Sequence, residues 1–338
     1  MISGSQLSEL SKMTVLAIDS GDLEVIERWS NTGVISDATT NPVFVAQAGL
    51  SGDARYGKLV DLASSYAKEN ADSAKDVLPL AMDRLAVELG LEIVKLVPGY
   101  VSTEVDIRFS YDTEETLRRA RRIIAMYEAE GVDRSRILIK VAGTCEGIDA
   151  ARILEEEGIT CNVTLVFGLY QAIYAAQAKA TLVSPFPGRI LDFYKRSPDE
   201  TFQPDQDPGV TCVKSIYSYY KNNDHDTICM PASWRPSRGT SDPDFALDEI
   251  RALAGVDRMT IPPNLLEQLA ACDQPLTRQL SPAGALLLEE TIAPETLSAA
   301  DFKNNDDACV KTKLAEGIDA FTKETLKLET AMRKKLEE

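Results

Sequence analysis

Histidine is almost absent: the chain has one, His225, in the polar stretch KNNDHD. A Ser-His-Asp triad would have to be built on that residue, so a hydrolase of that kind is not expected and His225 reads as a solvated loop residue. Cysteine occurs six times, at 145, 161, 212, 229, 272 and 309, but never as a C-x-x-C pair. With one histidine and no paired cysteines, no metal site is expected. Positive charge is in deficit, with 36 Lys and Arg against 53 Asp and Glu, a net −17. Such a surface argues against nucleic acid or an anionic membrane as a partner. No apolar run approaches the roughly 18–20 residues that span a bilayer. The opening MISGSQLSELSKM lacks the basic-then-apolar order of a secretion signal. Together with scattered cysteines, this gives the expectation of a cytoplasmic protein. There is no G-x-G-x-x-G, no internal repeat and no low-complexity tract.

What is present is an ordinary globular composition, 44% hydrophobic and 26% charged, in 338 residues. That length is large for one domain but common for an α/β barrel. Eight short β-rich runs, at 14–19, 34–41, 101–105, 137–142, 161–167, 181–186, 227–233 and 258–261, alternate with longer helical stretches. Alternation of this kind predicts parallel strands joined by crossover helices. Eight such units without a dinucleotide fingerprint predict a single (β/α)8 TIM barrel spanning 1–338, not a doubly wound sheet. Extra helices are expected near 57–70 and 75–95, and irregular loops at 195–208 and 236–245. Asp112 with Glu115 reads as a capping box, and Gly131 as the C-terminal stop of the same helix. The last helix carries Val310, Leu314, Ile318, Phe321, Leu328 and Met332 on one stripe and is expected to pack back on the barrel.

Successive strand residues point to opposite faces, so parity sorts lumen from outside. In ILIKVA, Ile137, Ile139 and Val141 share the face suited to packing against helices, and Lys140 falls on the other with Leu138 and Ala142. The same test groups Asp19 with Ala17, Glu104 with Ser102, Asn162 with Thr164, and Ser184 with Phe186. Acid, amine, amide and hydroxyl groups from five strands thus converge where an apolar filling is the rule, which marks a site. A lysine with an ordinary pKa of about 10.4 is a poor nucleophile at neutral pH, but burial disfavours the ammonium form in general. A neutral amine attacks a ketone to give a carbinolamine and then an iminium ion, an electron sink. Glu104 and Asp19 are the carboxylates available for proton transfer, with a water held by Thr164. Each residue also has a plain structural reading: Lys140 as a surface lysine, Asp19 as a cap for the helix after Gly21, and Glu104 as an ion-pair partner of Arg108.

The stretches AIDSGD, DATTNP, KLVPGYVSTEVD, RILIKVAGT, EGITCNVTLVF, SPFPGRILD, DPGV, PASWR and KLAEGI, in that order, cover nearly the whole chain. Over them the sequence resembles the transaldolases of the longer bacterial and eukaryotic type. The resemblance implies a Schiff-base transferase without cofactor or metal. It would move a dihydroxyacetone unit from sedoheptulose 7-phosphate to glyceraldehyde 3-phosphate, in the pentose phosphate pathway. It implies Lys140 as the Schiff-base lysine, Glu104 as the acid/base acting through water, Thr164 as the holder of that water, and Asp19 as the proton-transfer carboxylate at the substrate hydroxyls. Asn41, Asn162 and Ser184 become hydroxyl- and imine-facing ligands, and Arg189 and Arg235, with Ser233, a phosphate clamp. Local arginines of this kind are what an anionic substrate needs on an acidic protein. A phenylalanine at 186, where related aldolases that release free ketone carry tyrosine, implies transfer. The family pattern implies a homodimer. PASWRP, VAGTC and VFG depart from that pattern, which keeps two alternatives open: a Schiff-base aldolase with a shifted sugar-phosphate substrate, and a non-catalytic scaffold barrel.

Overall fold

The computed structural model describes residues 3–285 and 296–338. Eight parallel strands run β1 Val15–Asp19, β2 Ile35–Thr39, β3 Val101–Glu104, β4 Ile137–Ala142, β5 Cys161–Val166, β6 Leu182–Pro185, β7 Ile228–Cys229 and β8 Arg258–Ile261. Their order in the sheet is β7-β6-β5-β4-β3-β2-β1-β8, so every strand but the last lies beside its sequence neighbour and β8 returns to β1. The β7–β8 seam is lightly stitched: Thr260 N–H donates to Pro231 O at 3.2 Å, and Cys229 N–H to the Asp257 carboxylate at 3.0 Å. The result is a nearly closed (β/α)8 barrel ringed by helices, as expected.

All eight strands fall within the predicted runs, and the largest difference is β7. It was expected over 227–233 but ends at Cys229. Pro231 has no N–H to give a ladder, and Ser233 takes a left-handed φ of 64°, so the chain leaves the sheet. Strand β2 likewise stops at Thr39, because Asn41 turns to cap the helix Pro42–Leu50. The extra helices are Ala54–Asn70 and Val77–Val94. Asp112 caps Thr113–Ala129 through Glu115 N–H, and Gly131 follows with φ 79°. Only half of the capping box forms, since the Glu115 carboxylate is taken by Arg118 and Arg119 at 2.6 and 2.7 Å.

Parity holds except at the end of β5, where left-handed Leu165 joins Ala142, Phe167 and Phe186 and Val166 joins the outer core. Ile137, Ile139 and Val141 are buried in the outer core beneath the helices, with Leu16, Ile18, Cys161 and Val163. Each such side chain contributes roughly 1.5–3 kcal/mol by leaving water. Inside, Ala17, Leu138, Leu182 and Met230 plug the lower barrel, and an Arg258–Asp37 ion pair lies in the same part of the sheet with Arg258 over Tyr100. The upper lumen carries the polar side chains Asp19, Thr39, Lys140, Thr164, Ser184 and Thr260. The C-terminal helix Ala308–Glu337 packs on the helices Pro42–Leu50, Val77–Val94 and Pro187–Tyr194 and touches β5. Its stripe is buried at Val310, Leu314, Phe321, Leu328 and Met332 and half-buried at Ile318.

Candidate active site

Register places the chemistry. Glu104, Lys140 and Asn162 stand on one rung across β3, β4 and β5, and Asp19, Thr39 and Ser102 on another across β1, β2 and β3. Lys140 is buried, with its Nζ 3.2 Å from Glu104 Oε2 and donating to Thr40 O at 3.1 Å. It is therefore no surface lysine. Glu104 pairs with Lys140, while Arg108 takes Asp106 and Glu329 instead, so the plain structural reading of Glu104 does not hold. Nor does Asp19 cap the following helix, which begins under Asp22. Asp19 instead accepts from Thr39 Oγ1 at 2.8 Å, and Thr39 meets Thr260 Oγ1 at 2.6 Å.

Burial raises the pKa of both carboxylates, since desolvation penalises the charged form; the nearby Lys140 opposes the shift in each. Two carboxyl groups able to hold a proton thus flank one amine. Thr164 is fully buried and its Oγ1 has no hydrogen-bond partner among the described residues. In a β-strand a hydroxyl left so costs about 1–3 kcal/mol relative to a satisfied one. Its neighbour Leu165 has φ 57°, a backbone that L side chains rarely adopt, and the β5–β6 register shifts there. Strain of this order clusters at functional sites.

A cavity of about 240 Å³ opens over the barrel mouth. Lys140, Asp19, Thr164 and Ser184 form its floor, with Asn41, Phe186, Arg189 and Ser233 on its walls. Eight of the eleven residues singled out from sequence meet there. Three do not reach the wall. Glu104 sits behind Lys140 and lines a smaller cavity of about 50 Å³ shared with Asn41, roomy enough for a water molecule. Asn162 lies one step below, its amide donating to Ser102 Oγ at 3.3 Å and accepting from Ser184 at 2.9 Å. Arg235 projects outward, its Nε 3.2 Å from Asp192 and Nη1 on Trp234 O at 2.9 Å. Asn41 spends its carbonyl oxygen on the N–H groups of Val43 and Phe44, which leaves its NH2 for the cavities.

Other wall residues were not found from sequence: Thr39, Val43, Phe44, Ala232, Thr260 and Phe321. Parity could have found Thr39 and Thr260, which share faces with Asp37 and Arg258. Nothing local could have found Phe321, because the last helix brings it over the mouth from far along the chain. Arg189 has no ion-pair partner among the described residues. It lies over the rings of Phe186 and Phe321 at 5.1 and 5.6 Å. Burial lowers its pKa, with Arg235 as the next cause. The two arginines are close enough to repel, and Asp192, Glu104 and Glu316 offset part of the positive charge that they bring to the rim. Trp234, the departure nearest that rim, faces away: it is buried in the outer core and donates Nε1–H to Thr260 O at 2.8 Å. Cys145 also packs into the outer core, so neither change narrows the cavity. His225 lies at the opposite end of the barrel from the site, half-buried beside Tyr219 and Tyr220.

The family described as transaldolase/fructose-6-phosphate aldolase matches residues 16–332. The chain is similar to the transaldolase of Haemophilus influenzae, with 45% identity over 336 residues, 98% of this chain and 99% of the relative. It is similar also to that of Actinobacillus pleuropneumoniae serotype 3, 44% over 334 residues covering 98% and 100%. With transaldolase A of Pasteurella multocida it shares 44% over 331 residues, covering 97% and 98%.

Proposed function

The chain belongs to the transaldolase/fructose-6-phosphate aldolase family, and from that premise we propose that it is a transaldolase working through a Schiff base on Lys140. The observation that carries the reading is a lysine buried in a barrel lumen between two carboxyl groups whose pKa values are raised, beneath an arginine-rimmed cavity.

In this reading Lys140 passes a proton to Glu104, 3.2 Å away, and the neutral amine adds to the C2 carbonyl of the ketose phosphate. Glu104, through a water held by Thr164, then protonates the departing hydroxyl, which leaves as water and gives the iminium ion. Asp19 takes the proton of the C4 hydroxyl, the C3–C4 bond breaks, and its electron pair passes into the iminium to give an enamine. The short aldehyde phosphate leaves. The acceptor aldehyde enters, the enamine carbon attacks it, and Asp19 returns the proton to the new alkoxide. Hydrolysis of the second iminium through Glu104 restores the amine and consumes one water. Asn41, Ser184 and Asn162 serve the hydroxyls and the imine region, Asn162 by holding Ser184. Arg189, Arg235 and Ser233 hold the phosphate, which requires Arg235 to leave Asp192. Phe186, with no hydroxyl to activate water, favours transfer of the enamine over its hydrolysis. The dihydroxyacetone unit passes from sedoheptulose 7-phosphate to glyceraldehyde 3-phosphate. The chain is read further as one domain, a cytoplasmic homodimer, with no cofactor invoked; no described helix is long and apolar enough to cross a membrane.

Borohydride reduction in the presence of fructose 6-phosphate should give an adduct that peptide mass mapping puts on Lys140, and Lys140→Met should give none. An adduct at another lysine, or none at all, sinks the mechanism. Product formation should also require an acceptor aldehyde; free ketone released without one would favour the aldolase alternative.

A further inference from the structure

The loop after β7 carries two residues of the phosphate end, Ser233 and Arg235, in a conformation that does not hold itself. Ser233 has a left-handed φ of 64° without being glycine, which costs on the order of 1–3 kcal/mol unless the surroundings impose it. Four contacts impose it. Ala232 N–H donates to Pro185 O at 3.0 Å, and Trp234 Nε1–H to Thr260 O at 2.8 Å. Ser237 Oγ donates to Asp207 Oδ2 at 2.6 Å. Arg235 N–H donates to Glu249 Oε2, also at 2.6 Å.

The last of these is the unusual one. Glu249 is fully buried, lines neither cavity described above, and leaves Oε1 with no partner among the described residues. A buried acid half-satisfied in this way is costly, and leucine would avoid the cost. What leucine could not do is accept the Arg235 N–H. We infer that Glu249 is a positioning residue for phosphate binding: it anchors the main chain at Arg235, so that Ser233 meets the cavity and the Arg235 guanidinium is within reach of Arg189. This inference rests on the reading of Arg189 and Arg235 as the phosphate clamp.

The choice of a carboxyl group for the anchor is chemically coherent. Burial, reinforced by the buried Asp207 nearby, pushes the Glu249 pKa well above the usual carboxylate range and so favours the neutral acid. A neutral acid accepts through its carbonyl oxygen without setting a full negative charge beside an arginine that must attract phosphate. Asp207 is itself occupied: its other oxygen caps the helix Pro208–Asn222 at Gly209 and Val210 N–H, 2.8 and 3.2 Å away.

The test measures KM for fructose 6-phosphate with erythrose 4-phosphate as acceptor, the inhibition constant of inorganic phosphate, kcat and Tm. Four full-length variants are compared: Glu249→Leu, Glu249→Gln, Glu249→Asp and Arg235→Ala. Loss of the anchor in Glu249→Leu should raise both KM and the phosphate inhibition constant about ten-fold, with kcat within about two-fold. Glu249→Gln keeps a neutral acceptor at the same reach and should restore both constants. Glu249→Asp withdraws the acceptor by one methylene and should lie between. It also keeps the question answerable should Glu249→Leu fail to fold. Unchanged KM and phosphate inhibition in the folded Leu or Asp variant overturns the inference, whatever Tm does, because a merely structural acid would move Tm alone. Arg235→Ala separates the two levels. If it leaves phosphate inhibition unchanged, the clamp reading fails; if it weakens inhibition while the Glu249 variants do not, only the positioning role fails.

Discussion

The Thr164 hydroxyl has no hydrogen-bond partner among the described residues, although the side chain is fully buried. Replacing it with valine keeps shape and removes an unsatisfied polar group, so a purely structural residue would become neutral or stabilising on substitution. If the hydroxyl orders the water used by Glu104, Thr164→Val should instead lower kcat about 10–100-fold while Tm holds or rises. Steady-state rates beside calorimetry decide it, and equal kcat sinks the role. Asp19 offers a second check. It must be ionised to take the hydroxyl proton, and burial raises its pKa. The acid limb of kcat for ketose cleavage should therefore lie above the usual carboxylate value of about 3.9, and Asp19→Asn should lose both the limb and most of the rate. At this scale the sequence was informative for an identifiable reason. Strand parity depends only on a period of two, so Lys140, Thr164 and Ser184 could be turned inward without knowing the fold. It could not tell depth along the lumen, which is why Asn162 lies below the cavity, bound to Ser102 and Ser184. Nor could it foresee that Arg235 is turned out onto Asp192.

Elements set the phosphate end through backbone contact. The helix Pro187–Tyr194 begins against the loop after β7, and Gly188 is what lets it approach. A Cβ at 188 would fall inside contact distance of Ser233 O and lie 2.6 Å from Arg235 Cγ and 2.8 Å from its backbone nitrogen. Overpacking against backbone costs roughly 1–3 kcal/mol, and here the backbone that must yield carries Ser233 and Arg235. Gly188→Ala should raise KM for fructose 6-phosphate several-fold more than it lowers kcat, and lower Tm by a few degrees. A fall in Tm with KM unchanged would mean that this contact does not set the clamp. Element boundaries were least legible where side chains break the ladder. Pro231 has no N–H and Ser233 is left-handed, so a β-rich run expected over 227–233 yields a strand of two residues. Phe321 shows the opposite limit. Its place on an apolar stripe could be read, but its position over the barrel mouth depends on how a thirty-residue helix docks.

For the whole molecule, charge decides how stability depends on pH. Asp19, Asp83, Glu104, Asp207 and Glu249 all have pKa values raised chiefly by burial. A raised folded pKa means that the native state binds the proton more tightly than the unfolded chain. Between the unfolded and folded values the native protein holds more protons, and stability falls as pH rises through that window. Glu115 acts in the other direction: Arg118 and Arg119 hold its carboxyl down to about 2, so its contribution is present above the ordinary carboxylate range and lost as pH falls. His225, lowered by burial, also favours higher pH, but it is a single group. Ionisation meanwhile builds toward the formal net −17, and self-repulsion grows with it. The other lowered acids, Asp133, Glu157, Asp244, Asp301 and Asp306, are exposed and screened by water, whereas the five raised ones named above are buried, so maximum stability should lie on the acid side of neutrality, with Tm near pH 5.5 above that at pH 8 by several degrees, to an order of magnitude. Salt separates the two causes. At about 0.5 M NaCl surface repulsion is screened within a few ångströms, whereas the desolvation of buried acids is untouched. The pH dependence should therefore shrink with salt without vanishing, and Glu249→Gln, which cannot ionise, should reduce what remains. A Tm that climbs steadily from pH 6 to 9 would contradict the assignment of these acids as protonated in the native barrel.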